Sequence, residues 1–500
     1  MDMFSAFLSS FSTILQPDVL AYMISGFLIG TFFGAMPGLT SVLAIALLLP
    51  ITYSLDVVSA LVMCSSIFMA GMYSGSITAI TINIPGAPSS VMTAVEGNAL
   101  MKKGFGANAL GHAALGSMIG GVIGVLLLVC LAPITAKLSL YIQTPGKFSL
   151  ILFSLVVIVI SHKKFIIRAA IATLMGMMVA SIGIDVMQPI SRFDYGTEAL
   201  MEGIDMMPLI IGVFAISEIL YQTQVGKLQL NVGDAAKQIK RRDFFPKISE
   251  IKEIGLWTYL KSSTIGYMVG VLPGAGGSVA AFISYADAKR RSKNKDEYGK
   301  GSREGIVAAE SANNSMCGGA FVPMLVFGIP GDPTTAIVLG VLMINGLQPG
   351  VRLLENQVDM IAPMFASLFI SALILIPLTL YILGPYFIKI VSIKRSVLYP
   401  CIAVVAIVGS YVATYSMFQM SMAIVFGLVA FLMRMNNYPT VPLLLGYVLG
   451  PGLEQYFRRS MSLNDGDPSI FITNLDSLFF ILLTFVFTYF LVIKKEKVRS

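Results

Sequence analysis

The sequence predicts an all-α polytopic membrane protein of about 10–12 hydrophobic segments, arranged as two related repeats whose helices are broken or re-entrant at Pro-Gly pairs. Three observations predict this fold. Hydrophobic residues make up 56% of the 500 residues and charged residues only 12%. The mean hydropathy is +0.81, and two Pro-Gly motifs occur in the same order in each half. Soluble domains are about 25% charged, and the alternating pattern of a membrane β-barrel is absent from the sequence.

Long apolar stretches supply the individual segments. They approach or reach the roughly 20 residues that a helix needs to cross a bilayer. Pro-Gly pairs interrupt other apolar stretches, so the sequence leaves the number of complete crossings open. The clearest stretches are residues 150–160, 363–383, 398–412 and 478–493.

The duplicated motifs carry the prediction of repeats. Residues 30–38 read GTFFGAMPG and residues 266–274 read GYMVGVLPG, while residues 83–90 read NIPGAPSS and residues 328–335 read GIPGDPTT. Each Pro-Gly pair predicts a helix break, because proline lacks the N–H donor and glycine reaches positive φ without strain. Such breaks in two related halves are typical of secondary transporters, in which they form one site near the middle of the bilayer.

The positions of the breaks predict the domain organisation. By analogy with other carriers built from two repeats, we expect the repeats to have inverted topology. The first transmembrane repeat is residues 1–226 with breaks at 37–38 and 85–86, a basic cytoplasmic connecting loop is residues 227–253, and the second repeat is residues 254–500 with breaks at 273–274 and 330–331.

The net charge of +7 is concentrated in short basic groups. These groups are separated by apolar spans and contain few aromatic residues, which excludes a nucleic-acid-binding surface. By the positive-inside rule they indicate cytoplasmic loops and a cytoplasmic C-terminus. The alternative for each group is a solvated interfacial face. The groups lie at residues 102–103, 162–164, 227–252, 289–303 and 494–499.

Two of these basic groups flank the third Pro-Gly pair. If residues 227–252 and 289–303 are both cytoplasmic, residues 254–288 must enter and leave the membrane on the same side. They would form a re-entrant hairpin whose tip is residues 272–277, because proline and glycine in this run favour a turn. Such non-helical backbone at membrane depth must be surrounded by protein or by a water-filled cavity. The alternative is one long kinked helix.

The second break of each half is also a helix start. Asp332 is placed to cap a new helix with Pro333 in its first turn, and Pro88 occupies the matching position in the first half. Backbone N–H groups at such starts carry partial positive charge, so together with neighbouring hydroxyls they can bind a carboxylate. The alternative is that the Pro-Gly pairs only kink the helices and the hydroxyls bond back to the backbone. The predicted substrate-binding residues are Thr40, Ser41, Asn83, Pro85, Gly86, Ser89, Ser90, Pro273, Gly274, Ser278, Pro330, Gly331, Thr334 and Thr335.

A second group of polar residues predicts a site for the coupled cation. Glu310, Asn313 and Asn314 fall on one face of a predicted helix that is otherwise apolar or small. A carboxylate and amide oxygens are hard ligands suited to a cation, and an acidic residue inside a membrane is costly enough to indicate function. Asp332 is the second candidate for this role. The alternative is a hydrogen-bonded cluster that only joins helices.

The remaining polar residues indicate less. Cys64, Cys130, Cys317 and Cys401 lack metal-ligand spacing, and two histidines in unlike contexts do not predict a zinc site, so we expect no metal and no cofactor. His162 is interpreted as part of an interfacial loop. Asp185, Asp205, Glu218 and Glu454 are likewise interpreted as interfacial.

Several runs resemble the large membrane subunit of the tripartite tricarboxylate transporters, the TctA family. The resemblance implies a bacterial inner-membrane uptake system with a small TctB-like membrane subunit and a periplasmic TctC-like solute-binding protein, driven by a proton or sodium gradient. A homodimer is possible. The pattern departs from the family at residues 96–99, Thr40 and Asp332, which leaves the substrate open. The runs are GAMPGLT at 34–40, YSGSITAITINIPGAPSS at 73–90, GVLPGAGG at 270–277, EGIVAAESANNS at 304–315, FVPMLVFGIPG at 321–331 and LGPGLEQYFRRS at 449–460.

Two other classes of function stay open beside a carrier. An intramembrane enzyme acting on a lipid-linked substrate would use Glu310 and Asp332 as acid and base. A passive channel would more naturally show polar rings on continuous helices. The sequence contains no Walker A motif, so any ATP-driven motor would have to reside in a partner.

Overall fold

The structure is a computed structural model, and it describes residues 3–225, 241–387 and 395–489. Within these ranges the chain is almost entirely helical, and two short strands, Gly183–Ile184 and Ser191–Arg192, pair antiparallel. This architecture confirms the predicted all-α membrane fold.

Two of the predicted segments lie partly or wholly outside the described residues. The gap at 226–240 removes most of the predicted connecting loop, and the basic group at 494–499 follows the last described residue. The cytoplasmic position of the loop and of the C-terminus therefore stays a prediction.

The helices of the first half stop at the predicted Pro-Gly pairs. A 3-10 turn, Pro88–Ser90, leads into the helix after the second pair, another covers Lys163–Phe165, and a π-helical segment, Ile211–Ile216, joins α10 to α11. The helices are α1 Met3–Ile14, α2 Pro17–Ala35, α3 Ser41–Thr52, α4 Val57–Ile82, α5 Val91–Lys102, α6 Gly106–Ser139, α7 Thr144–Ser161, α8 Ile166–Ala180, α9 Glu198–Met201, α10 Met206–Ile210 and α11 Ser217–Val225.

The second half is interrupted at the corresponding pairs. A π-helical segment, Ser371–Leu375, joins α18 to α19, and 3-10 turns cover Arg241–Phe244, Lys295–Glu297 and Gly384–Tyr386. The helices are α12 Ile248–Ile254, α13 Leu256–Val271, α14 Gly276–Arg291, α15 Arg303–Phe327, α16 Pro333–Ile344, α17 Val351–Asn356, α18 Val358–Ile370, α19 Ile376–Leu383, α20 Arg395–Thr414, α21 Met417–Met435, α22 Val441–Leu463, α23 Ile470–Thr473 and α24 Leu475–Thr488.

Seven helical stretches in the described ranges are long and apolar enough to cross a membrane. Five further apolar helices in the described ranges have 10–17 residues, and four of them, α1, α3, α16 and α24, are shorter than a full crossing requires. The short helices α3 and α16 each follow a Pro-Gly break. The seven stretches are Pro17–Ala35, Val57–Ile82, Gly106–Ser139, Thr144–Ser161, Met206–Gln224, Val358–Tyr386 and Met417–Met435.

Helices α13 and α14 fold back on each other as a hairpin. Lys261, near the start of α13, pairs at 2.9 Å with Asp287, near the end of α14, and the turn at residues 272–275 lies midway between them. The N–H of Gly274 at this turn donates to the carbonyl of Gly331 at 3.0 Å. The hairpin prediction is therefore confirmed in its geometry, and the alternative of one long kinked helix is wrong.

Small residues let the central helices approach closely. A Cβ at Gly124 of α6 would lie 2.5 Å from the carbonyl oxygen of Ser315 on α15, and Gly120 has the same relation to Ser311. Such glycine faces are the usual means by which membrane helices pack, because lipid provides no hydrophobic drive between them. This contact holds α15, with its buried polar face, in the centre of the protein.

The helix pairs before the breaks have matching contacts in the two halves. In each half a glycine face of the helix before the first break, α2 or α13, packs on the backbone of the helix before the second break, α4 or α15. Each glycine of α2 and its counterpart on α13 are as far apart in the sequence as the first duplicated motifs. Each contacted residue of α4 and its counterpart on α15 are as far apart as the second duplicated motifs. They are Gly30 with Ile67 and Gly34 with Gly71 in the first half, and Gly266 with Ala312 and Gly270 with Met316 in the second.

Helices α4 and α15 also contact each other across the halves. The rings of Phe68 and Phe321 lie 5.9 Å apart, and the Nδ2 of Asn313 donates to the carbonyl of Met72 at 3.0 Å. Residue numbers therefore rise along α4 as they fall along α15, so the two helices run antiparallel.

Candidate functional site

The four Pro-Gly breaks meet at one cavity of about 410 Å³. The helices that begin after the breaks contribute their first residues to its wall, so the geometric prediction of a shared cavity is confirmed. The contributions are Thr40 to Leu43 after the first break, Ala87 to Ser89 after the second, Gly274 to Val279 after the third and Asp332 to Thr334 after the fourth.

The helix starts at this cavity differ in their capping. Thr40 accepts a hydrogen bond from Leu43 at the start of α3 at 3.4 Å, and Asp332 accepts one from Thr334 at the start of α16 at 2.8 Å. The first turn of α14 and the 3-10 turn Pro88–Ser90 have no capping side chain. The first N–H groups of α14 and the N–H of Ser89 can therefore bind an anion in the cavity, whereas Pro88 has no N–H and the N–H of Ser90 donates to the carbonyl of Ala87.

Hydroxyl groups add donors beside the uncapped helix starts. The Oγ of Ser89 is buried in the cavity wall and has no hydrogen-bond partner among the described residues. Ser41 and Thr334 face each other across the halves, with 3.4 Å between their hydroxyl oxygens. Ser278 also lines the wall. A buried hydroxyl without a partner is costly unless a ligand or water satisfies it.

The other predicted binding residues lie behind the wall and shape the backbone. Asn83 ends α4 in the left-handed conformation with φ 58°, and Gly86 fits against the backbone of Gly34 and Gly75. At the start of α16, the hydroxyl of Thr335 bonds to the backbone of Asp332. The structure does not place Pro85, Gly86, Ser90, Pro273, Pro330, Gly331, Asn83 or Thr335 among the residues that line this cavity.

The predicted cation residues form a separate buried cluster. The carboxylate of Glu310 accepts hydrogen bonds from Thr93 on α5 at 2.5 Å and from Ser117 on α6 at 3.0 Å. Glu310 is not among the residues that line the cavity. These bonds join three helices, as the alternative interpretation requires.

Two amide oxygens distinguish this cluster from simple packing. The Oδ1 atoms of Asn313 and Asn314 are buried and have no hydrogen-bond partner among the described residues. A Cβ at Gly277 would lie 2.6 Å from the Oδ1 of Asn313 and 3.1 Å from the Cβ of Ser89. Asn313 therefore stands between the Glu310 cluster and the cavity wall.

Sequence reasoning missed five polar residues of the wall, among them Ser161 and Thr440. Arg434 and Glu218 line the cavity and form an ion pair with each other, and His162 lines it as well. The interpretation of Glu218 and His162 as interfacial residues was incomplete, because both side chains face this interior space. A lone arginine near the end of the apolar helix α21 is the only sequence signal for Arg434, since its partner lies 216 positions away.

Two of the other acidic residues form ion pairs away from the cavity. Asp185 and Glu454 each pair with Arg192 and Arg458. The N–H group of Met187 and the guanidinium of Arg458 lower the pKa of Asp185 to about 2. These contacts agree with the interpretation of Asp185 and Glu454 as residues outside the binding site.

Glu96, a departure from the family pattern, holds the chain together rather than lining the cavity. Its buried carboxylate accepts hydrogen bonds from the hydroxyl of Tyr285 at 2.5 Å and from the N–H groups of Gly299, Gly301 and Ser302. The residue therefore anchors α5 of the first half to the loop that starts α15. Within the described ranges no three His, Cys, Asp or Glu side chains are grouped to hold a metal.

The fold and the cavity define a multi-pass membrane protein whose broken helices surround an interior binding space, an arrangement typical of secondary transporters. The family described as the tripartite tricarboxylate transporter TctA family matches residues 20–445. The chain belongs to this family, and it is therefore a component of a tricarboxylate transporter.

Two proteins of Agrobacterium vitis are similar to the chain. One, an uncharacterized 52.8 kDa protein in the TAR-I ttuC' 3' region, is 34% identical over 475 residues, which are 95% of this chain and 93% of the relative. The other, an uncharacterized protein in the TAR-II ttuC' 3' region, is 37% identical over 209 residues, which are 42% of this chain and 86% of the relative. No solved structure matches the chain.

Proposed function

We propose that this chain is the membrane subunit of a binding-protein-dependent tripartite system that imports a tricarboxylate or a related organic anion. The observation that carries the proposal is the shared cavity, at which two uncapped helix starts and the unpaired hydroxyl of Ser89 are available to a carboxylate. Helix starts and hydroxyls stabilise an anion without requiring a positive charge at the same point.

The proposed transport unit consists of two inverted repeats. Matching glycine contacts in the two halves and the antiparallel course of α4 and α15 support this arrangement. In carriers of this kind one repeat moves against the other around a fixed site, which exposes the site to each side in turn. The site then lies where the breaks of both repeats meet.

A proton or sodium gradient drives the proposed import. A carboxylate of charge −2 or −3 entering a negative-inside cell is opposed by about 2.3 kcal/mol per charge per 100 mV, so cations must travel with it. Glu310, Asn313 and Asn314 are the proposed cation residues, with Asp332 in the cavity wall as the second candidate. The two unpaired amide oxygens support a cation at this cluster.

The proposed location is the bacterial inner membrane. The proposed partners are a small TctB-like membrane subunit, a periplasmic TctC-like solute-binding protein and a second copy of the chain in a homodimer. Family membership supports the first two of these partners, because the TctA subunit belongs to a tripartite system. No cofactor is proposed besides the coupled ion.

The alternative of an intramembrane enzyme gains no support from the site. It would use Glu310 and Asp332 together, but Asp332 lines the cavity and Glu310 does not. The four breaks at one cavity are likewise arranged as in a carrier rather than as rings on continuous helices.

Uptake by proteoliposomes that contain all three subunits tests the proposal. We expect a tricarboxylate or another organic anion to accumulate only under an imposed proton or sodium gradient, and an ionophore to abolish the accumulation. Uptake that equilibrates without accumulation would indicate a channel and would contradict the proposal. Scanning solutes with and without sodium identifies both the substrate and the coupled ion.

A further inference from the structure

The cavity has two chemically different regions. Ser89 and Thr334, beside the helix starts, are 5% and 2% exposed. The side chains of Arg434 and Glu218 are 22% and 12% exposed. One region of the wall therefore carries the buried hydroxyls of Ser89 and Thr334, and the other carries the ion pair between the partly exposed Arg434 and Glu218.

Arg434 is held in a position to serve as an anion receptor. It lies in the last turn of α21, and its guanidinium carbon is 5.8 Å from the centre of the Tyr221 ring. Its Nη1 donates to the Oε2 of Glu218. A guanidinium presents a planar fork of donors that matches a carboxylate, so the group that occupies this fork can be exchanged for another carboxylate.

Glu218 has a second partner that would keep it satisfied after such an exchange. Its Oε1 accepts a hydrogen bond from the Nε2 of Gln222, one turn later on α11, at 2.8 Å. The exchange also leaves Arg434 paired, which matters because a buried charge without a partner is strongly destabilising.

We propose that Arg434 binds a second carboxylate of the transported anion, and that Glu218 occupies this place when the cavity holds no substrate. The inference rests on the proposed carboxylate transport, and it specifies an anion with at least two carboxylates. One carboxylate binds the uncapped helix starts beside Ser89, and the other displaces Glu218 from Arg434.

Selectivity between matched acids and amides tests this inference. The purified full-length chain is titrated calorimetrically with succinate and its monoamide, and with tricarballylate and its terminal monoamide. We expect the wild-type protein to bind the acid of at least one pair roughly tenfold or more tighter than the amide, because the amide lacks the charge and one of the two acceptor oxygens that pair with a guanidinium. Arg434→Gln should lose this preference, whereas Arg290→Gln, a change at an arginine that is 78% exposed on α14, should keep it.

The Glu218 variant tests the exchange itself. Glu218→Gln removes the internal competitor, so we expect it to tighten binding of the preferred acid by roughly threefold to tenfold. In an Arg434→Gln background the same change should have no such effect, because the two residues act through one interaction. Unchanged or weaker binding by Glu218→Gln in the wild-type background would overturn the exchange.

A conservative variant guards against a failure to fold. Arg434→Lys keeps the charge but loses the planar fork, and we expect it to reduce the preference for the acid at least threefold, with a thermal midpoint like that of the wild-type protein. A preference that both Arg434 variants retain overturns the inference and leaves carboxylate transport intact. A wild-type protein that binds none of the four probes contradicts the proposed function as well.

Discussion

The second breaks of the two halves share a left-handed residue after the preceding helix, but they differ in side-chain chemistry. Helix α4 ends at Asn83 and helix α15 ends at Gly328, both with positive φ. In the first half the hydroxyls of Ser89 and Ser90 are buried without a partner. In the second half the corresponding turn is closed by Asp332, whose side chain and backbone bond to the first turn of α16.

This difference separates two roles of one motif. The capped helix start of α16 is satisfied by its own residues and is stable without a ligand. The uncapped start at residues 88–90 leaves the N–H and the hydroxyl of Ser89 for a molecule in the cavity. The second break therefore keeps its turn in both halves, while only the copy in the first half has polar side chains without a partner among the described residues.

The largest expected effect concerns the helices that precede the breaks. Glu310 stands on α15 where α4 carries Ser65, at the same distance before the break. We expect Glu310→Gln to abolish gradient-driven accumulation in proteoliposomes, because it removes the charge proposed to hold the coupled cation. Ser65→Ala is the matched control and should retain accumulation. Uptake by Glu310→Gln with unchanged proton and sodium dependence would show that the cluster is packing alone.

The next effect tests whether the two breaks are packed alike. A Cβ at Gly331 would lie 2.6 Å from the carbonyl oxygen of Gly270, and Gly86 has the matching contact in the first half. We expect Gly86→Ala and Gly331→Ala each to lower the free energy of unfolding by about 1–3 kcal/mol through overpacking. Thermal unfolding of the purified protein measures this loss.

Gly452→Ala on α22 is the control for these variants. Its new methyl group would meet only the end of the Ile151 side chain, at 3.3 Å, so the thermal midpoint should stay near the wild-type value. Destabilisation at Gly331 without any at Gly86 would mean that the two breaks are not equivalent in their packing.

Smaller effects are expected from single changes at the second break of each half. The change in the first half should affect anion binding, and the change in the second half should affect stability. We expect Ser89→Ala to weaken anion binding by roughly 0.5–1.5 kcal/mol with little change in stability, because the hydroxyl has no partner to lose. Thr335→Ala should instead lower stability by about 0.5–2 kcal/mol, because it opens the cap of α16. Calorimetric binding and thermal unfolding of both variants provide the measurements. Equal effects of the two changes on binding would contradict the difference between the breaks.

The smallest expected effect lies at Asn314. Its Oδ1 is unpaired, and its Nδ2 bonds to the carbonyl of Glu310 at a long 3.4 Å. We expect Asn314→Ala to raise the cation concentration that half-saturates uptake by roughly threefold to tenfold. Asn345→Ala at the end of α16, whose amide also bonds to the preceding turn, is the control. An unchanged cation dependence in Asn314→Ala would remove this residue from the proposed cation site.

The local parts of the site could be predicted from the sequence. The four helix breaks and the cap at Asp332 depend on proline, glycine and short polar side chains acting within a few residues of the chain. The hairpin of α13 and α14 followed from charge, because basic groups on both sides of an apolar segment indicate loops on one side of the membrane. The polar face of α15 followed from helical spacing.

The pairing of distant groups was decided only by the tertiary structure. Nothing near Arg434 in the sequence points to Glu218, and both came to the cavity through the packing of α21 against α11 and its neighbours. Tertiary packing elsewhere left the hydroxyl of Ser89 unpaired and tied Glu96 to the loop before α15. Sequence alone therefore determined where the helices break and which side chains stand there. Close contacts between small residues on separate helices determined which breaks meet and which polar groups remain free for a ligand, because those contacts join residues that the chain holds far apart.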